Sequence, residues 1–151
     1  SGGISVGDYD FVGKAMEQNG VRTSFYKVKQ KPGKPLFYGF NNTCHVFALP
    51  GNPASALTCT YLYVYPALQK MIGSNDPHLE MRSLQLANSY SKKPGLTHHL
   101  KGRITGNLVE SLENQSSSML NSFALSDCLI VVPEETEHLE PCDSISVYIL
   151  P

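Results

Sequence analysis

The sequence predicts an α/β module followed by a small β-rich module, and three observations carry that expectation. A strand-turn-helix passage, FALPGNPASAL at 47–57, lies in the first half, in the order by which α/β units connect a strand to its helix. Beyond Pro77 the helical period fades and short apolar runs recur between polar turns, the pattern of a small β domain. Charge divides a little further on: all 12 Lys and Arg lie within 1–103 against five acids, a balance of +7, whereas 104–151 hold eight acids and no Lys or Arg, a balance of −8. The polar stretch Ser74–His78 is the predicted boundary, giving modules over 1–76 and 77–151.

The elements follow in order. Residues 9–19 read as a short helix with Phe11, Val12, Ala15 and Met16 on one face and Gly20 as its stop. Val21–Val28 reads as a strand, and Lys31–Pro35 (KPGKP) as a turn stiffened by Pro32 and Pro35 and opened at Gly33. Leu36–Phe40 and Cys44–Leu49, separated by Asn41-Asn42-Thr43, form a hairpin pattern. Asn52 then suits an N-cap and Pro53 the first helical position, with Leu57, Tyr61, Val64 and Leu68 as the expected buried stripe. Pro66 lacks an N–H and predicts a kink or shift in the last turns before Gly73. In the second module Leu84–Leu86, Leu96–Ile104, Leu108–Leu112, Phe123–Ala124, Cys128–Val132 and Ser144–Leu150 read as strand-like runs, with a weak helical signal around Met119–Phe123.

Composition narrows the classes. No run of about 18 apolar residues appears, and the first residues lack the basic-then-apolar pattern of a secretory signal; the expectation is a soluble cytoplasmic protein without a membrane partner. An acidic second module would repel a nucleic-acid backbone, so no nucleic-acid partner is expected. Cys44, Cys59, Cys128 and Cys142 contain no close CxxC pair and read as reduced thiols. The histidines show no zinc-binding spacing, and adjacent Cys44 and His45 would point to opposite faces of a strand. Asn41-Asn42-Thr43 and Asn114-Gln115-Ser116 are formal glycosylation acceptors with no secretory context.

The chemistry concentrates in three glycine-containing loops: SGGISVG at 1–7, KPGKP at 31–35 and PGNP at 50–53. Glycine permits close backbone approach, and exposed N–H groups hold anions. Lys27, Lys29 and Lys31 would share one face of a strand, with Lys34 nearby, which suits a phosphate or other oxyanion or else forms a solvated basic edge. Asp8 and Asp10 could cap the first helix or hold Mg²⁺ beside a phosphate. In the second module, Gln115–Met119 could form a hydroxyl-rich anion loop, Lys101 and Arg103 read as surface residues on one strand face, and His98 and His99 as ordinary strand residues. No serine has a readable histidine-acid partner.

Three strings in order, SGGISVGDYD, YKVKQKPGKP and FALPGNPASAL, resemble the molybdopterin molybdotransferase family, and the second module is similar to that family's small C-terminal β domain. The resemblance implies that the first module is the C-terminal part of a three-layer molybdopterin-binding α/β domain, followed by a barrel-like β domain. It implies insertion of molybdate into adenylylated molybdopterin with release of AMP, aided by Mg²⁺. On that basis Asp10, Lys27 and Lys31 would be catalytic, and Asp10 with Asp8 would hold the metal. Gly3, Ser5, Gly7 and Lys34 would serve the phosphate side, Pro50, Gly51, Asn52 and Ser55 the pterin side, and Lys101 and Ser117 the molybdate side. Lys101 stands where the family usually has arginine, losing its planar fork; His99 replaces an aromatic, and Ser116 a common glycine.

The same resemblance implies a homodimer in the full-length parent, and substrate handover from an adenylyltransferase. SGGISVGDYD reads as a loop that should follow a strand outside this sequence, so further upstream domains are expected and the isolated chain is expected to be inactive. Two other readings are a scaffold protein of the same fold and an adenylyltransferase-like domain.

Overall fold

A computed structural model of the chain describes residues 1–2, 11–42, 44–113, 115–117 and 120–151. The first part is α/β. Helix α1 (Phe11–Gln18) leads into an antiparallel sheet of β1 (Arg22–Tyr26), β3 (Phe37–Phe40) and β4 (His45–Ala48), in the order β1-β3-β4. Val12 and Met16 pack on Val21, Phe37, Ala48 and Val46; Ala15, expected on that face, is exposed. The β3–β4 hairpin pairs Phe37 with Ala48 and Phe40 with His45, and Asn41 closes its turn by accepting the Cys44 N–H at Oδ1 (2.8 Å).

The helix after the PGNP turn is not one regular rod. It consists of α2 (Pro53–Cys59), a π turn (Thr60–Val64) and α3 (Tyr65–Met71). In the π turn the Tyr65 N–H reaches the Thr60 carbonyl, five residues back. The wider turn precedes Pro66, which has no N–H to offer a regular ladder. The extra residue rotates the later side chains around the axis, so the buried stripe differs from expectation. Ala54, Ser55, Thr58 and Cys59 are buried, Leu57, Tyr61 and Val64 are half-buried, and Leu68 is 55% exposed.

The second part is a closed five-stranded barrel. Its strands are β5 (Met81–Leu86), β7 (Thr97–Thr105), β8 (Leu108–Ser111), β9 (Cys128–Val132) and β11 (Ser144–Ile149), joined in the circuit β7-β8-β5-β11-β9-β7. All pairs are antiparallel except β5 with β8. Alternation fills the barrel: Leu84, Leu86, Leu100, Val109, Cys128, Ile130, Val132, Ile145 and Val147 form its core. Gly102 is required there, because a Cβ would stand 2.8 Å from Ile130 Cγ1. The run expected as a strand at Phe123–Ala124 is instead helical, in α4 (Asn121–Ala124), and a small ribbon pairs β6 (Tyr90–Ser91) with β10 (His138–Leu139).

The two parts are sewn together at several places. The short strand β2 (Gln30–Lys31) pairs in parallel with β7, Gln30 opposite Thr97 and Lys31 opposite His98. On the outer barrel wall, Leu129 and Phe123 pack with Ala54, joined by Leu57, Tyr61 and Leu62. Lys29 meets Glu134 at 2.8 Å; both groups are exposed, so this pair adds orientation more than stability. All four cysteines are free thiols, Cys59 and Cys128 buried and Cys44 and Cys142 exposed. No described helix is long and apolar enough to cross a membrane.

Candidate functional site

The seam between the two parts opens into a cleft of about 750 Å³. One wall is the KPGKP loop, with Lys31 and Lys34; the second is the PGNP turn with Ser55; the third is the barrel, with His98, His99 and Ser117. The described lining holds two lysines and no carboxylate. Such a wall attracts anions, and a cavity of this size accommodates a small organic ligand.

The lysine loop is held by a buried network. Gln30, only 3% exposed, donates from Nε2 to the Pro32 carbonyl (3.0 Å) and accepts at Oε1 the Tyr63 hydroxyl (2.6 Å). The Cys59 thiol lies 3.6 Å from both Gln30 Nε2 and the Gly33 carbonyl. Burial pushes that thiol up to about 12, so it stays protonated and serves as a packing group. The Lys31–Pro32 peptide is cis and Gly33 has φ +94°. Tyr63 belongs to the π turn, so the irregular helix register is what brings its hydroxyl to Gln30.

The opposite wall depends on Gln115. Its amide binds the Lys101 backbone as a neighbouring strand would, accepting the Lys101 N–H (3.0 Å) and donating to the Lys101 carbonyl (2.9 Å) and the Leu112 carbonyl (2.7 Å). This clamp presents Ser116 and Ser117 to the cleft. Ser117 also bridges the parts: its hydroxyl accepts Asn52 Nδ2 (3.0 Å) and its carbonyl accepts the Ala54 N–H (3.0 Å). Asn52 occupies the cap position without a side-chain capping bond; the Ala54 N–H, two residues into the helix, goes to the Ser117 carbonyl instead. Gly2 joins the PGNP side through its N–H to the Leu49 carbonyl (3.1 Å).

Of the site residues expected from the sequence, Lys31, Lys34, Pro50, Gly51, Asn52, Ser55 and Ser117 share this cleft. Gly3, Ser5, Gly7, Asp8 and Asp10 lie outside the described residues. Lys27 does not join: the chain turns at φ +69° there, and its ammonium lies 5.0 Å from the centre of the Tyr26 ring. That turn also breaks the expected alignment of Lys27, Lys29 and Lys31 on one strand face, with Lys29 drawn to Glu134. Lys101, expected at the surface, is 3% exposed. Its ammonium donates to Ser122 Oγ (2.6 Å) and lies 3.4 Å from the Ser116 carbonyl, so it braces the serine loop from behind. Desolvation lowers its pKa. Arg103, two residues on, is exposed.

The residues missed by sequence reasoning are His98, His99, Tyr90 and Gln30. His98 Nδ1 is 2.8 Å from the Tyr90 hydroxyl; burial, then the charges of Lys31 and Lys92, lower its pKa. His99 is buried beside it, and desolvation with the His98 ring holds its pKa at about 4. A serine–histidine–glutamate relay also exists, with Ser91 Oγ 2.7 Å from His138 Nδ1 and His138 Nε2 3.1 Å from Glu140. It lies on the exposed β6–β10 ribbon, and none of the three lines the cleft. Among the described residues no three His, Cys, Asp or Glu side chains gather as a metal site.

Residues 1–70 match the family described as a probable molybdopterin binding domain, and residues 83–150 the family described as the MoeA C-terminal region (domain IV). The chain is 30% identical over 156 aligned residues to a molybdopterin molybdenumtransferase of Haemophilus influenzae, covering 97% of this chain and 38% of that protein. It is 34% identical over 141 residues to the molybdenum cofactor synthesis protein cinnamon of Drosophila melanogaster, covering 90% of this chain and 24% of that one. The chain thus spans between about a quarter and two fifths of the length of these relatives.

The fold is that of a molybdopterin biosynthesis protein from Pyrococcus horikoshii, at TM-score 0.77 and 24% identity over 93% of this chain and 34% of that one. It is also that of a molybdenum cofactor biosynthesis protein from Pyrococcus furiosus, at TM-score 0.76 and 21% identity over 96% and 55%. With consecutive matches on either side of the cleft, and relatives aligned across nearly all of its length, the chain belongs to the molybdopterin molybdenumtransferase family.

Proposed function

We propose that this chain supplies one side of the site at which molybdate is inserted into adenylylated molybdopterin, with AMP released. The observation that supports this reading is the convergence of Lys31, Lys34, the PGNP turn, Ser55 and Ser117 on one carboxylate-free cleft, from three separate stretches of sequence. Molybdate is a dianion and the organic substrate carries a pyrophosphate. Lys31 and Lys34 offset that charge and steer both substrates inward. The Ser55 hydroxyl, which no described hydrogen bond engages, and the Ser116–Ser117 segment offer short, fixed donors for oxygen atoms.

Lys101 acts in this account through the loop it braces, in place of a direct oxyanion contact. Lys27, which is not among the lining residues of the cleft, contributes charge at longer range. Mg²⁺ and its ligands Asp8 and Asp10 are part of the proposal by resemblance, as are the phosphate-side roles of Gly3, Ser5 and Gly7, and no step here is routed through them. The homodimer, handover from an adenylyltransferase and a cytoplasmic setting belong to the same proposal.

Calorimetric titration with molybdate and with AMP tests the reading. The 151-residue chain should bind both, and Lys31→Ala and Lys34→Ala should each weaken at least one by roughly tenfold, the value of a charge-assisted hydrogen bond of about 1.5 kcal/mol. Unchanged affinity in both variants would reject the cleft as the site.

A further inference from the structure

His99 is a polar residue of the cleft with no part in the charge pairing supplied by Lys31 and Lys34. It stands on the face of β7 opposite Leu100, which points into the barrel core, and contributes to the cleft wall while being only 9% exposed. Its Nδ1 is buried and has no hydrogen-bond partner among the described residues. That atom decides where the proton goes. Neutral imidazole carries one N–H, and an N–H at Nδ1 would be a buried donor with no acceptor, rarer and costlier than a bare lone pair. The proton therefore belongs on Nε2.

The part of the ring that His99 shows to the cleft is accordingly its Nε2 edge, for which no described residue supplies an acceptor. With Lys31 and Lys34 across the same space and no carboxylate in the described lining, the ligand atom suited to that N–H is an anionic oxygen. A neutral ring donates without adding a third positive charge beside the lysines, and burial keeps it neutral.

We propose that His99 is a ligand-binding residue that donates its Nε2–H to a tetrahedral oxyanion in the cleft, a phosphate group or molybdate. The assignment rests on the reading of the cleft as an anion site, and adds to it a directional, uncharged donor in a wall where the Lys101 ammonium is engaged by Ser122 and the Ser116 carbonyl. The structure thereby distinguishes His99 from an aromatic ring that only fills space.

The test is long-range ¹H–¹⁵N correlation NMR on the ¹⁵N-labelled 151-residue chain, followed by separate titrations with sodium molybdate and AMP. Before ligand, His99 should show a protonated Nε2 and bare Nδ1 from pH 6 to 8 (about two units above the transition of a ring held neutral by burial). A proton on Nδ1 would overturn the proposal. His99→Phe, which keeps a packed ring and removes the donor, should weaken one or both anions by roughly fivefold, the effect of one hydrogen bond. His99→Gln, whose amide N–H falls near the Nε2 position, should recover most of that loss and covers the case in which the Phe variant does not fold.

A loss confined to molybdate assigns the donor to the metal oxyanion, one confined to AMP assigns it to the phosphate, and a loss for both assigns a shared position. Equal affinity of His99→Phe and the unsubstituted chain would overturn this proposal alone. Failure of the unsubstituted chain to bind either anion would overturn it together with the reading of the cleft.

Discussion

Gly33 is the position at which the lysine loop can be tested most sharply, because two separable costs meet there. Its φ of +94° is a conformation that L side chains rarely adopt, and replacing it with alanine costs about 1–2 kcal/mol in backbone strain. The added Cβ would also stand 2.5 Å from Cys59 Sγ and 2.9 Å from Gln30 Nε2. Cys59 is fully buried and its helix neighbour Thr58 is 1% exposed, so the sulfur has no free space to enter, and overpacking of this kind costs about 1–3 kcal/mol. Gly33→Ala should therefore lose about 2–5 kcal/mol of unfolding free energy in urea denaturation followed by circular dichroism.

Gly95→Ala is the control, since Gly95 has φ +111° but a Cβ there meets nothing within 4 Å; it should lose only the strain. Adding Cys59→Ala to Gly33→Ala removes the sulfur and should recover at least about 1 kcal/mol relative to additivity. Equal losses in Gly33→Ala and Gly95→Ala, with no recovery in the double variant, would refute the packing argument. The buried network would then not be what positions Lys31 and Lys34.

Further predictions follow from the other wall. Gln115→Ala removes the side-chain acceptor of the Lys101 N–H and one of the donors to the Lys101 carbonyl, which keeps the Leu112 N–H (2.9 Å), and should cost about 1–3 kcal/mol, with faster amide exchange at Ser116 and Ser117 and little change in α1. His99, with a folded pKa near 4 against an ordinary 6.5, resists a proton that the unfolded chain accepts. Its share of stability is intact above pH 6.5, declines as pH falls through that window and is fully lost below pH 4, up to about 3 kcal/mol. Urea midpoints should fall between pH 6.5 and 4, and His99→Phe should flatten that slope; a parallel decline in both proteins would contradict it. Asn52→Ala should cost about 0.5–1 kcal/mol through its bond to Ser117, and Ser117→Ala should add almost nothing further in the double variant.

What the sequence made legible was local. The hairpin at Asn41, the helix start at Asn52-Pro53, the irregularity before Pro66 and the alternating barrel strands follow from turn chemistry and periodicity over a few residues. Two of the three motifs, KPGKP and PGNP, also pointed to the cleft, because glycine loops and lysines carry their chemistry in their composition. What escaped depended on contacts between distant residues. Lys29 is taken by Glu134, 105 positions away, and Asn52 by Ser117, 65 away. Lys101 turned inward because the serine loop and Phe123 cover that face of β7. His98 and His99 lacked any spacing signal, since they gain a site only when β2 pairs alongside β7. Gln115 reads from the sequence as part of an anion loop, but the use of its side chain in place of a strand depends on Lys101, 14 positions away.

The central claim, that the seam between the α/β part and the barrel is the oxyanion site, is tested most directly by crystals grown with molybdate and measured at the molybdenum absorption edge. The account predicts an anomalous peak inside the cleft, within hydrogen-bonding reach of Lys31 or Lys34 and of the Ser116–Ser117 wall. Ordered molybdate found only elsewhere on the molecule, with the cleft empty at saturating concentration, would contradict it.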